Sequence, residues 1–406
     1  MVGRPLKAYR ALRGEAGEPL AVRTVRLEQS NSAVIYGDRL LLKMFRRIEE
    51  GTNPDLELSR FLSETVRFPH TPTLAGSLEY QDDGGRVSTM GILQEFVRNE
   101  GDAWSHALEH AHRFFDRVLT SHPSCPPAES DFPHQGLLAG FKTEPTPLVR
   151  ELCDNYLELA RLLGQRTGEM HRALASSVDV PELAPEPFSE LYQRSVYQGM
   201  RSYSRKAFRL LRNRLKLLPE DVQADALTLL LLEQEILDRF QLIVGHKLGG
   251  ARIRCHGDYH LGQVLFTGKD FMIIDFEGEP TRPFSERRIK RTPLRDVAGM
   301  LRSFDYASQT ILLNQIAGIV QESELRNVQT WARYWSTWVG AQFLDSYVDT
   351  VRDASFTTTE PGEMQVLLQV ALLEKAVYEL AYELNNRPSW VRVPLSGILQ
   401  LLSSPA

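Results

Sequence analysis

The stretch Arg254-Cys255-His256-Gly257-Asp258-Tyr259-His260-Leu261-Gly262-Gln263-Val264-Leu265, followed by Phe271-Met272-Ile273-Ile274-Asp275-Phe276-Glu277, decides the fold. Each half carries an apolar run short enough for a buried strand, and each sets a carboxylate at the edge of that run. Asp258 stands in a loop with the carboxamide of Gln263 five residues on, and Asp275 ends the second run. One carboxylate can orient and deprotonate a hydroxyl. Two further hard-oxygen groups can then hold Mg²⁺ against phosphates, which is the set that phosphoryl transfer requires.

His256-Gly257-Asp258-x-His260 resembles the aminoglycoside-phosphotransferase-like branch of the kinase fold, where Gly replaces the Arg of protein kinases. The longer string, residues 253–279 joined to 292–307, is similar to bacterial maltokinases, including those fused to trehalose synthase. Gln263 stands where the wider kinase pattern has Asn; it offers the same carbonyl oxygen on a longer arm, and maltokinases carry it there. The resemblance covers roughly residues 25–395. It implies a two-lobed, protein-kinase-like α+β fold, with a β-rich nucleotide-binding lobe over 1–97 and a mostly helical catalytic and acceptor lobe over 98–406. ATP and Mg²⁺ are expected between the lobes. The implied reaction is phosphorylation of maltose at its anomeric hydroxyl to give maltose 1-phosphate. In that reaction Asp258 is the base, Gln263 and Asp275 hold the metal, and His260 and Glu277 lie toward the sugar. A kinase for another sugar, such as glucosamine, would share everything but the acceptor pocket. A non-catalytic kinase-like partner of a trehalose synthase should have lost one of Lys43, Asp258, Gln263 or Asp275, and all four are present.

The 406 residues can form two or three compact units, and 42% hydrophobic content supports a substantial core. A net charge of −5 and a pI near 6.1 argue against nucleic acid as the main partner. Cys125, Cys153 and Cys255 are too few and too scattered for a disulfide framework or a zinc site. The basic start has no apolar stretch behind it, and no apolar run reaches membrane-spanning length, so a cytoplasmic protein without membrane contact is expected. About twenty residues precede the first expected strand. On the resemblance, that suits the kinase part of a trehalose synthase fusion, or an uncapped relative with a covalent or non-covalent synthase partner.

In the first lobe, residues 33–36 and 39–45 read as strands joined through Gly37-Asp38, a pair suited to a tight turn. Lys43 lies in the second, in an otherwise apolar run where an ammonium is costly unless it finds anions. It reads either as a snorkelling edge lysine or as a contact to the ATP phosphates; its place upstream of the His-Gly-Asp string favours the second. Asn53-Pro54 caps and opens a helix. On it Glu57, which the resemblance prefers, or Glu64 is expected to pair with Lys43. Glu28-Gln29-Ser30-Asn31-Ser32 stands where kinases carry a Gly-rich phosphate loop; taken alone it reads equally as an ordinary polar turn, and as a phosphate cradle its candidate contacts are Ser30, Asn31 and Ser32. A second hairpin over 72–80 and 86–97 ends at Glu95 and Val97, placed as an adenine-binding hinge would be.

Asp102 is suited to cap the next helix, which contains His106-Ala107-Leu108-Glu109-His110, a zinc-peptidase-like pattern without a third ligand and best explained by chance. Residues 121–147 are proline-rich and read as a surface excursion. Helices are expected over 148–175, 187–218, 221–248, 297–307, 328–351 and 362–386. The basic cluster from Arg205 to Lys216 reads as a solvated helix face. The resemblance makes Arg295-Asp296 a structural brace for the catalytic loop. On the last long helix, Lys375, Tyr378, Glu379 and Tyr382 fall on one face and form the expected sugar platform, although an ordinary amphipathic stripe looks the same.

Overall fold

The computed structural model describes residues 1–25, 31–121, 126–133, 144–245, 247–316, 325–358 and 360–403. The chain divides into two compact units. Unit 1 comprises Met1–His106, Glu169–Ala184 and Arg254–Lys290; unit 2 comprises Ala107–Gly168, Pro185–Ile253 and Arg291–Ala406.

Unit 1 is built on an antiparallel sheet of six strands in the order β1-β5-β6-β4-β3-β2. The strands are β1 (Val2–Pro5), β2 (Val22–Val25), β3 (Asn31–Tyr36), β4 (Leu40–Phe45), β5 (Leu74–Gln81) and β6 (Val87–Glu95). The expected β3–β4 hairpin forms with Tyr36 opposite Leu40, and both Gly37 and Asp38 adopt positive φ, at 57° and 50°. The strand β1 and a short helix α1 (Tyr9–Arg13) lie before the point where the sequence reading began its first strand. Val2–Pro5 has no alternation of buried and exposed positions, because as an edge strand its residues are exposed throughout. Pairing along the edge of β5 holds it there.

The centre of the sheet is tight. A Cβ on Gly91 of β6 would come within 2.5 Å of the Lys43 carbonyl, so glycine there lets β4 approach its neighbour. Helix α2 (Pro54–Arg60) packs Leu56 against Phe45, Leu74 and Ile92, and Leu6 joins them. Its start follows the expected rule, since the Asn53 side chain accepts the Asp55 N–H at 2.8 Å and Pro54 occupies the first turn. A π-helical stretch over Phe61–Val66 continues it.

The compact units do not follow the 97/98 boundary expected from the sequence, because Arg254–Lys290 joins the N-terminal sheet in unit 1. Backbone bonds explain why. The Ile273 N–H donates to the His70 carbonyl and the Glu100 N–H to the Phe266 carbonyl, each at 2.8 Å.

Unit 2 is helical. Its helices include Glu190–Arg214, Leu294–Ile311, Leu325–Val351 and Pro361–Asn386. Two expected helices are each split. Residues 148–175 become Pro147–Cys153 and Tyr156–Leu174, parted where Asp154 takes φ 54°. Residues 221–248 become Glu220–Leu231 and Glu233–Gly245. Apolar periodicity runs through both breaks, so it could not reveal them. Trp331, Trp335 and Trp338 are fully buried on Leu325–Val351, and Arg295 grips Glu374 through both carboxylate oxygens at 2.6 and 2.7 Å. No helix among the described residues is long and apolar enough to cross a membrane.

Candidate active site

The two halves of the opening motif meet because a hairpin joins them. Val264–Phe266 pairs antiparallel with Phe271–Ile273, Val264 opposite Ile273, and the Ile274 N–H donates to the Gln263 carbonyl at 3.0 Å. The His256 ring closes the other side, with its Nε2 2.9 Å from the Ile274 carbonyl and its face tilted against Tyr259 and Phe276. His256 is thus a spacer between the two loops. Asp258, His260, Gln263, Asp275, Glu277, Gly278 and Pro280 line one cavity of about 210 Å³.

Asp275 adopts φ 68°, a conformation an L-residue takes only where its surroundings impose it. The surroundings are specific. The Phe276 N–H donates to Asp55 Oδ1 at 3.1 Å, and the Asp275 carboxylate accepts the Lys43 ammonium at 2.5 Å. Lys43 also donates to Asp55 Oδ2 at 2.7 Å and lies 4.0 Å from Glu277. Burial by itself would lower the Lys43 pKa, but Asp275, Asp55 and Glu277 outweigh it and raise the pKa above its usual value. Burial would likewise raise the Asp275 carboxyl, and Lys43 holds it below the usual range. The snorkelling alternative is set aside: Lys43 is 7% exposed and ends among carboxylates.

The expected partner of Lys43 is corrected. Glu57 turns instead to Arg254 at 2.5 Å and Arg288 at 2.8 Å, and Asp55, two residues earlier on α2, takes the ammonium. Sequence reasoning passed over Asp55 because an acid in the first turn of a helix is the ordinary complement to the helix dipole. Its burial, 1% exposed, is what marks it.

Other expected contacts are distributed differently. Asn31 Nδ2 donates to Glu277 Oε2 at 3.1 Å, and Arg287 donates to Glu277 Oε1 at 3.2 Å, so Glu277 is bound from two sides within the protein. Ser32 Oγ accepts from Arg46 at 3.2 Å, and Ser30 lies outside the described residues. His260 accepts the Gly262 N–H on Nδ1 at 3.1 Å and caps the turn Leu261–Gln263. Where the hinge is expected, Glu95 donates its N–H to the Thr73 carbonyl and Phe96 to that of Arg39, and Asn99 donates to the Val97 carbonyl.

The stripe Lys375–Tyr382 does not present four equivalent side chains. Glu379 is buried and bonded to Arg302 at 2.8 Å, Tyr378 is half-buried against Tyr203, and Tyr382 is exposed. Glu379 is therefore an internal ion pair of unit 2. In the zinc-like pattern, His106 packs on Phe266 and His110 on Tyr156. Among the described residues no group of three or more His, Cys, Asp or Glu could hold a metal ion. The cavity in unit 1 is a different kind of donor set: the carboxylates of Asp258, Asp275 and Glu277 and the carboxamide of Gln263, beside a His260 imidazole whose Nδ1 is taken by the Gly262 N–H. That fits Mg²⁺, which takes one or two carboxylates and completes its shell with waters and substrate phosphates.

A model of the phosphotransferase enzyme family (APH) matches residues 96–278, the segment that contains Asp258, Gln263 and Asp275. A glucosamine kinase from Mycolicibacterium smegmatis is 22% identical over 382 residues, which is 94% of this chain and 79% of that protein. A second glucosamine kinase, from Streptacidiphilus jiangxiensis, is 27% identical over 157 residues, and that match spans 38% of this chain and 32% of the relative. A solved glucosamine kinase superposes with a TM-score of 0.69 at 20% identity, covering 99% of this chain and 80% of its own. Another, in complex with glucosamine, ADP and inorganic phosphate, gives 0.68 at 20%, covering 98% and 84%. The fold is that of aminoglycoside-phosphotransferase-like kinases, with a small antiparallel sheet and a larger helical part.

Proposed function

We propose that this chain, with the fold of the phosphotransferase enzyme family and a match to that family across its catalytic segment, transfers the γ-phosphoryl group of ATP to a sugar hydroxyl. One observation carries the reading: Asp258, Gln263 and Asp275 line a single cavity, and a buried lysine is bonded to Asp275. Lys43, held by Asp55 and Asp275, places a fixed positive charge where polyphosphate oxygens can meet it. Asp275 and Gln263 would hold Mg²⁺, which when bound neutralises charge on the phosphates. Asp258 orients the acceptor hydroxyl and takes its proton as the new P–O bond forms. The nucleotide lobe is assigned to residues 1–97 with Glu95 and Val97 as the hinge; Lys375, Tyr378 and Tyr382 are assigned to the acceptor.

For the acceptor, the resemblance of Ile253–Glu279 with Thr292–Ala307 to bacterial maltokinases supports maltose and its anomeric hydroxyl. A trehalose synthase partner belongs to that reading alone. A second reading, glucosamine, is supported by the relatives bearing that name, one of them solved with glucosamine and ADP. An ATP-consumption assay with Mg²⁺ across maltose, glucosamine, glucose and trehalose tests both. Sugar-dependent ADP formation is expected, and the preferred sugar chooses between the readings. An ATP turnover that none of the sugars raises would overturn the proposal.

A further inference from the structure

One carboxylate in unit 1 makes more contacts than the reaction assigned above asks of it. Glu57 on α2 accepts from Arg254 on Oε1 at 2.5 Å and from Arg288 on Oε2 at 2.8 Å. Arg254 lies two residues before His256 and its side chain is 1% exposed. Arg288 closes the short helix Phe284–Arg287, in the segment that follows Asp275. It also donates to the carbonyl of Thr52, next to the Asn53 cap of α2. Two further bonds run alongside: the Phe284 N–H donates to Glu49 at 3.1 Å and Arg287 to Glu277 at 3.2 Å.

The charge balance makes Glu57 the controlling member. Two guanidiniums share its one carboxylate, and Nε and Nη2 of the buried Arg254 have no hydrogen-bond partner among the described residues. Arg254 therefore depends on Glu57 for its counter-charge, since a buried charge without one is strongly unfavourable. Burial would raise the Glu57 carboxyl pKa, but Arg254 and Arg288 outweigh it and keep the group low and ionised. Asp55 and Glu57 thus divide the work of one short helix. The first holds Lys43 and the Asp275 turn; the second holds the entry to the Asp258 loop and the segment beyond Asp275.

We propose that Glu57 is a positioning residue: its carboxylate clasps α2 to Arg254 and to Arg288 at once, so that Lys43, Asp258 and Asp275 take up a single geometry together. Its kinetic consequence rests on the kinase reading above; the clasp itself does not. Because Asp55 still holds Lys43, ATP binding should survive loss of the clasp while the reacting geometry suffers.

The test uses Glu57→Gln, Arg288→Gln and the double variant of the full chain. It measures kcat, KM for ATP, melting temperature, and the rate of tryptic cleavage after Arg287. Each single change should lower kcat by roughly tenfold or more, with KM for ATP moving less than about twofold. The double variant should be no worse than the worse single one, because both remove the same contact. Cleavage after Arg287 should speed up at least about fivefold in all three, as local opening becomes easier. Glu57→Asp should recover part of kcat. A merely structural residue would lower the melting temperature, with losses that add and kcat intact well below melting. That result, or unchanged cleavage, overturns the clasp. Should the unaltered chain phosphorylate no sugar, the kinase reading fails, and the cleavage rates alone decide the clasp.

Discussion

Asp258 is half-buried at the wall of the cavity, and its assigned task depends on its ionised oxygen. Asp258→Asn should therefore cut kcat by roughly 10²–10⁴, the range for a lost general base, and leave ATP affinity nearly unchanged. Near-normal turnover in that variant would remove the residue from the chemistry. Asp55 has a different signature. Its removal leaves the buried Lys43 ammonium with one carboxylate fewer and the Phe276 N–H without its acceptor. Asp55→Ala should lose about 3–5 kcal/mol of stability and raise KM for ATP. A variant with parental melting and ATP kinetics would return the partnership to another acid. Acid titration gives a third check. Asp275 and Glu57 are both held below their ordinary values of 3.8 and 4.5, so each contributes stability that is complete above that value and lost as pH falls below it. Lys43 is raised above 10.5, so its contribution is complete below that pH and is lost only in strong alkali. Melting should therefore be insensitive to this cluster between about pH 5 and 9 and fall below about pH 4. Glu57→Gln should flatten part of that acid limb; an unchanged limb would mean that the carboxylate is not held low.

At the scale of elements, turn and cap chemistry was legible in the sequence and partnership was not. Gly37-Asp38, Asn53-Pro54 and Asp102 each act where local rules put them, the last by accepting the Ser105 N–H at 2.8 Å. Those rules depend on residues a few positions apart. The choice between Asp55 and Glu57 depends on which way α2 is rotated over the sheet, set by Leu56 packing on Phe45, Leu74 and Ile92. No local pattern encodes that rotation. The helix Pro361–Asn386 shows the same limit: a stripe correctly read as one face separates into a buried Glu379 paired with Arg302 and an exposed Tyr382. If Tyr378 and Tyr382 contact the acceptor, Tyr378→Ala and Tyr382→Ala should each raise KM for the preferred sugar and spare KM for ATP. The expected loss is about 1–3 kcal/mol, or roughly 5- to 150-fold in kcat/KM. Tyr378 stacks on Tyr203 at 5.9 Å, so a packing role predicts a lower melting temperature with both constants drifting together.

At the scale of the whole molecule, the chain order of motifs was informative because Asp258, Gln263 and Asp275 line one cavity and Lys43, from a distant segment, is bonded to Asp275. The sequence also carried the His256-Gly257-Asp258 loop and the Asp275-Phe276 turn, which the hairpin between them brings side by side. It did not carry the division into units, since that follows from backbone bonds such as Ile273 to His70 across two hundred residues of chain. The identity of the acceptor is a property of pocket shape, and short motifs hold little of it. The central claim is that γ-phosphate leaves ATP for a sugar oxygen, and ³¹P NMR of the chain with ATP, Mg²⁺ and the preferred sugar observes that transfer directly. The account predicts that the ATP signals give way to ADP and a new sugar phosphomonoester resonance, and that Asp258→Asn slows its growth by the factor given above. ATP left intact, or converted to ADP and inorganic phosphate alone, would contradict it.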